Sequence, residues 1–290
     1  NGHDPKVLEK IWSDWEKFAS YAFNKSHATC YSWVAYQTAY MKAHYPAEYM
    51  AALMTRRFSQ ITEIQKLMEE CKAMNISTLG PDVNESFVGF GVNGEGEIRF
   101  GLSAIKGMGG AAAEAIVQER EKNGPYKDLF DFIQRISLKD VNRKGLESLA
   151  LSGGFDCFGI KREDYFGKNN KGEMFLDTLV RYGQQYQLAK QQAANSLFGE
   201  DDVEVSTPPI PKGEEWSTIE RLGKEKELVG IYLSAHPLDD YSLILKAMCN
   251  THCNELADKE KLLEKDELTF GGIVTDVRKK FTKNGAPCGF

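Results

Sequence analysis

Four polar residues in a row, Asn24, Lys25, Ser26 and His27, stand directly before an apolar run with helical spacing. Ser26 is a natural N-cap for a helix beginning near Ala28, because its hydroxyl accepts from an amide that the first turn leaves unpaired. The same turn offers free N–H groups at the positive end of the helix dipole, an anion site to which Lys25 and His27 would add donors. Both readings fit, and four polar groups exceed what a cap needs. A second cluster, Lys106-Gly107-Met108-Gly109, precedes a helix of small residues starting near 110. Glycines here permit a tight turn whose backbone N–H groups approach a DNA phosphate without reading sequence, with Lys106 adding charge. The pattern is that of a helix-hairpin-helix motif; a plain glycine-rich turn between helices is the competing reading. A looser second copy spans 140–162, with Gly153 and Gly154 at its hairpin and Arg143, Lys144, Lys161 and Arg162 around it. A solvated basic helix end accounts for that copy equally well. Finally, Ser196, Leu197 and Phe198 lie between a helix and an acidic stretch. A Leu-Phe pair so placed either anchors in a partner's pocket or caps its own helix.

The remaining titratable residues assemble no active site. Metal-dependent phosphoryl transfer needs carboxylates that converge on paired ions. Asp201-Asp202 fall in a linker and Asp239-Asp240 follow a Pro turn, and there is no Walker loop or nucleophile elbow. Cys249 and Cys253 flank a histidine but have no second pair of ligands, so free thiols are expected and no metal site is assigned. Net charge is −6, which counts against a strong phosphate grip over the whole surface and leaves room for a local one. No apolar run approaches the length of a membrane span and no signal peptide is visible, so a cytoplasmic protein without a membrane partner is expected. The opening Asn-Gly-His-Asp-Pro, without an initiator Met, and the abrupt end point to a piece of a longer chain.

The elements that must hold these residues are mostly helical. Val7, Leu8, Ile11, Trp12, Trp15, Phe18 and Ala19 recur at three- and four-residue steps, which predicts one buried helix face. Further helices are expected over 28–44, 46–58 and 61–74, the second of these stopping the first at Pro46. Alternation around a Gly/Asn turn predicts a β-hairpin over 85–102. Helices resume from about 110, near 140–151, over 172–195 and over 217–228. The acidic, Pro-rich stretch 199–216 reads as a linker. Two strands about a Lys-Asn-Gly turn close the chain.

Four stretches in order carry a resemblance: 18–54, beginning "FASYAFNKSHATCYSWVAYQTAY", then "IRFGLSAIKGMG" (98–109), "NRKGLESLALSGGFD" (142–156) and "ELVGIYLSAHPLDDY" (227–241). Together they resemble the bacterial family C replicative DNA polymerases across nearly the whole chain. The resemblance implies a mainly α, multi-domain fold: late fingers (1–80), a β-hairpin with tandem helix-hairpin-helix (81–198), the linker (199–216), a helical connector (217–265) and the start of an OB-type β-barrel (266–290). It implies that Asn24, Lys25, Ser26 and His27 contact the triphosphate of an incoming deoxynucleotide. It implies that Lys106, Gly107, Gly109, Arg143, Lys144, Gly153 and Gly154 grip duplex DNA, and that Ser196, Leu197 and Phe198 bind the sliding clamp. Ala194 stands where that clamp motif usually has Gln, with Gln191 and Gln192 as imperfect substitutes. Other replicase subunits are further implied partners. The family's catalytic aspartates and the Mg2+ they hold lie in a palm upstream, so this piece alone is expected to be inactive. An error-prone sister polymerase shares these motifs, and a non-catalytic helix-hairpin-helix clamp adaptor is the reading from another class.

Overall fold

The structure, a computed structural model, describes residues 2–22, 24–194, 205–251, 255, 262–263, 267–274, 279–281 and 287–289. Four helices open it: α1 (Pro5–Ala22), α2 (Lys25–His44), α3 (Pro46–Arg56) and α4 (Ile61–Ala73). Pro46 separates α2 from α3 and occupies the first position of α3, where a missing N–H costs nothing. The apolar face of α1 has the expected period but is not buried: Val7, Leu8, Ile11, Trp12, Trp15, Phe18 and Ala19 are exposed, Trp15 at 67%. Spacing fixes which residues share a face, and no described element lies over this one. α2 likewise buries no residue.

A first core forms where α3 and α4 meet a small sheet. Strands β1 (Thr78–Leu79), β2 (Gly91–Val92) and β3 (Ile98–Arg99) are ordered β1-β3-β2, with β1 parallel and β2 antiparallel to β3. The expected hairpin is β2–β3; β1 is an addition. The turn between its strands is set by Asn93, whose Oδ1 accepts from the N–H groups of Glu95 and Glu97, and by Gly96 at a φ of +81°. The same Asn-x-x-Gly-Glu device recurs at Asn169–Glu173, with Gly172 at +79°. Phe90, Ile98 and Phe100 pack with Met50, Met54, Ile64 and Cys71, so this core runs across residue 80, where a boundary between domains was expected.

The second core gathers α5 (Gly110–Asn123), α6 (Leu129–Arg135), α7 (Arg143–Ser152) and α8 (Phe175–Ala194) around Phe132, Phe155, Tyr165 and Phe175. Phe132 and Phe155 meet edge-to-face at 5.1 Å, the geometry favoured by the ring quadrupoles. α6 was not expected from the sequence; Asp128 caps it, accepting from the N–H of Asp131 at 2.8 Å. Helix α9 (Thr218–Val229) opens with a reciprocal capping box between Ser217 and Glu220, closes at Gly230 in the left-handed region, and packs along α7. Its Val229 belongs to the first core, so α9 ties the two together. The described part of the expected linker is docked, not free. The Gly213 N–H donates to Asp164, the Trp216 ring lies 5.5 Å from Phe166, and Val205 packs on the second core. A Trp and a Val in that stretch outweigh its acidic and Pro-rich character. Helix α10 (Ser242–Met248) and the antiparallel pair β4 (Lys279–Phe281) and β5 (Pro287–Gly289) complete the described chain.

Candidate nucleic-acid interface

The turn Lys106–Gly109 has little helix of its own before it. A single 3-10 turn, Leu102–Ala104, leads in, and α5 follows. Buried Ile105 and Met108 root the turn in the core, while Lys106, Gly107, Gly109 and Gly110 face solvent. Gly107 has a φ of +91°, which side-chain-bearing residues rarely adopt, and a Cβ there would lie 2.7 Å from Ser148 Oγ. Gly109 ends the turn as the N-cap of α5 with extended backbone and no side-chain cap, so the first amides of α5 are left to outside acceptors. The turn is held from two sides. The Lys106 N–H donates to the Leu228 carbonyl in the last turn of α9 at 2.9 Å, and Ser148 Oγ on α7 donates to the Lys106 carbonyl at 3.0 Å.

The second hairpin is not where the sequence placed it. The helical hairpin is α6–turn–α7, with its turn over 136–142, and not the Gly153-Gly154 pair that follows α7. Buried Ile136 and Val141 root this turn as Ile105 and Met108 root the first, and Asn142 caps α7 by accepting from the Gly145 N–H. Gly153 and Gly154 are buried. Gly153 is the left-handed C-cap of α7 and makes room for the Arg162 guanidinium, while Gly154 donates to the Leu149 carbonyl at 2.8 Å and accepts from the Val83 N–H. They shape the protein's interior and offer no surface to a phosphate. Two glycines in a row after a basic helix start imitated a hairpin; α6, with no glycine in the turn that follows it, gave no such signal.

The basic residues divide into two sets. Arg143 is engaged by Asp177 and Glu147, both at 2.6 Å, and the hydrogen bond to Asp177 leads in raising its pKa. Arg162 is buried, donating to both oxygens of Asp156 and to Glu225 at 2.9 Å. Glu225, on α9, is 1% exposed. Burial pushes its pKa up, but donation from the Ser234 N–H, Arg162, the Ser234 hydroxyl and the Leu233 N–H more than offsets this and holds it below the ordinary range. Lys106 and Lys144 are different: both are exposed and, among the described residues, neither has an acidic partner. The Lys144 stem runs beside Gly107, its Cε 3.4 Å from where a Cβ would sit. The turn therefore lies against the first turns of α7, and two lysines, the start of α5 and the start of α7 share one exposed patch.

Asn24–His27 sit at the start of α2, all exposed. The cap is Asn24, not Ser26: Asn24 Oδ1 accepts from the Ser26 N–H at 3.0 Å and from Ser26 Oγ at 2.6 Å, and the helix begins three residues earlier than expected. A carboxamide one position before Lys25 reaches the N2 amide as well as a serine hydroxyl does. Lys25 occupies the first helical position, and the His27 ring lies against Tyr31 at 4.3 Å. Ser196, Leu197 and Phe198 lie outside the described residues, as do Asp201, Asp202 and Cys253. Asp239 and Asp240 open a 3-10 turn in which Asp239 accepts from the His236 N–H. Among the described residues no three of His, Cys, Asp and Glu come together as a metal site, and no helix is long and apolar enough to cross a membrane.

The glycine turn, which opens onto one helix and is braced on the first turns of another, lies within residues 75–165, which match the family model described as a helix-hairpin-helix motif. The wider similarity is to DNA polymerase III subunit alpha. The chain is 38% identical to that of Vibrio cholerae over 294 aligned residues, covering 100% of this chain and 24% of the relative. It is 38% identical to that of Aquifex aeolicus, over 98% of this chain and 22% of the relative, and 43% identical to that of Chlamydia muridarum, over 82% and 19%. The chain is thus similar along most or all of its length to DNA polymerase III α subunits of bacteria, and it spans about a quarter of their length.

Proposed function

We propose that this chain is the duplex-holding portion of a DNA-directed DNA polymerase that copies a template in the 5′–3′ direction. One observation carries the reading: the Lys106–Gly109 turn presents an exposed lysine, flexible-geometry glycine backbone and the uncapped start of α5 beside the second free lysine, Lys144. Backbone amides and lysines of this kind suit phosphate oxygens and carry no base readout, which is what a polymerase requires of a grip on any sequence. Arg143 supports this patch from its ion pairs. Lys25 and His27, on the turn that Asn24 caps and Ser26 joins, would meet the triphosphate of an incoming dNTP, an assignment that the relatives' name and the helix-start chemistry favour. Ser196, Leu197 and Phe198 would bind a sliding clamp, and 266–290 would begin an OB-type barrel. The Mg2+ that drives nucleotidyl transfer would be held by carboxylates elsewhere in the polymerase; this chain's residues hold the duplex and orient the nucleotide.

Fluorescence anisotropy on a labelled primer–template duplex tests the grip. Binding is expected to be weak and to fade between about 50 and about 200 mM salt, with the shallow slope of a few phosphate contacts. Lys106→Glu should weaken it further. Binding indifferent to both salt and Lys106→Glu would overturn the assignment.

A further inference from the structure

The turn that faces the duplex is not self-supporting, and what supports it is a buried charge far along the sequence. Lys106 is tethered through its N–H to Leu228, three residues after Glu225 on the same helix. Glu225 is the only acidic residue among the buried polar side chains of the described chain. Its two carboxylate oxygens receive four donors: the N–H groups of Leu233 and Ser234 on Oε1, both at 2.9 Å, and Ser234 Oγ at 2.8 Å and Arg162 at 2.9 Å on Oε2. Arg162 in turn fills the space that Gly153 leaves open behind α7 and is locked by Asp156. An unbroken path therefore runs from Gly153 through Arg162 and Glu225 into α9, and from the end of α9 to the Lys106 amide. A buried carboxylate persists only where its donors are complete, so this one fixes the rotation and height of α9 on α7 within narrow limits.

We propose that Glu225 is a positioning residue for the duplex-facing turn, holding the Leu228 carbonyl where it fixes Lys106 and Gly107, with Ser148 as the second tether. The inference deepens the proposed duplex grip and rests on it for its functional half. It gives the second helical hairpin and its trailing glycines a task other than DNA contact: they anchor the brace of the first hairpin. Glu225 touches no ligand itself.

The test follows the Lys106 amide by hydrogen exchange and duplex affinity by anisotropy, in the full chain, for Glu225→Gln and Ser148→Ala. The glutamine keeps the shape but presents an amide N–H2 where a donor now meets oxygen. Glu225→Gln should speed Lys106 exchange about tenfold while the Ile116 amide, inside α5, keeps its protection, and should weaken duplex binding about five- to tenfold. Ser148→Ala, which removes the other tether, should weaken binding about two- to fivefold. If Glu225→Gln leaves the Lys106 amide protected and binding intact, or speeds Lys106 and Ile116 alike, the positioning role is refuted. Should Glu225→Gln fail to fold, Ser148→Ala decides: unchanged affinity refutes the brace. If the unaltered chain binds no duplex, the grip falls, while selective loss of Lys106 protection still upholds the tether.

Discussion

Two glycines three positions apart should respond to the same substitution with opposite signs. Gly107→Ala places a Cβ at a φ of +91°, a conformation that costs an L-residue about 1–2 kcal/mol. The same Cβ would come within 2.7 Å of Ser148 Oγ, which is buried and donates to the Lys106 carbonyl at 3.0 Å. A Ser148 hydroxyl that turns away from the new methyl gives up that bond, a further loss of about 1 kcal/mol. Alanine also restricts the unfolded chain, returning about 0.5 kcal/mol. The net destabilisation is about 2 kcal/mol, most of it local to the turn. Gly110 offers the contrast: it is the first residue of α5, its φ is ordinary, and a Cβ there meets nothing within 4 Å. Gly110→Ala should therefore stabilise by about 0.5 kcal/mol through helix propensity and chain entropy. Urea unfolding of the two variants beside the parent protein measures both. Gly107→Ala within about 0.5 kcal/mol of the parent, or a loss in Gly110→Ala as large as that in Gly107→Ala, would refute the geometry on which the turn's role depends.

Acid should loosen the same region. Glu225 has a pKa held below the ordinary 4.5, so its ionised form is favoured by folding; its contribution is complete above 4.5 and disappears as pH falls through the lower, folded-state value. Glu225→Gln should flatten the acid limb of the stability profile, and a parallel profile in the variant would contradict this. In primer-extension assays the isolated chain is expected to bind primer–template without incorporating a nucleotide; template-dependent extension by a clean preparation would show that nucleotidyl transfer resides here.

How much of this was legible in the sequence divides along the range of the interactions involved. The start of α3 was legible at Pro46 and the β-hairpin at its Gly/Asn turn, because a cap or a turn is decided within five residues. The Lys106–Gly109 turn was legible for the same reason. The second hairpin was misplaced because Gly153 and Gly154 look locally like a turn that faces outward, whereas a positive φ is equally the mark of a helix C-cap. Only the Arg162 side chain, nine residues on, shows which use the pair serves. Glu225 was invisible for a sharper reason. In "GKEKELVG" it is one charge among four, on a helix whose period gives no hint that one of them is buried. Its burial follows from donors on Arg162, Leu233 and Ser234 that converge only after α7 and α9 have packed. The exposed aromatic face of α1 is the reverse case, a correct period with no described partner to complete it. Local rules thus located the exposed glycine turn and its lysine. The groups that hold it in place depend on contacts distant in sequence, Lys106 with Ser148 and with Leu228 and Arg162 with Glu225, and Ser148, Leu228 and Glu225 had to be found in three dimensions.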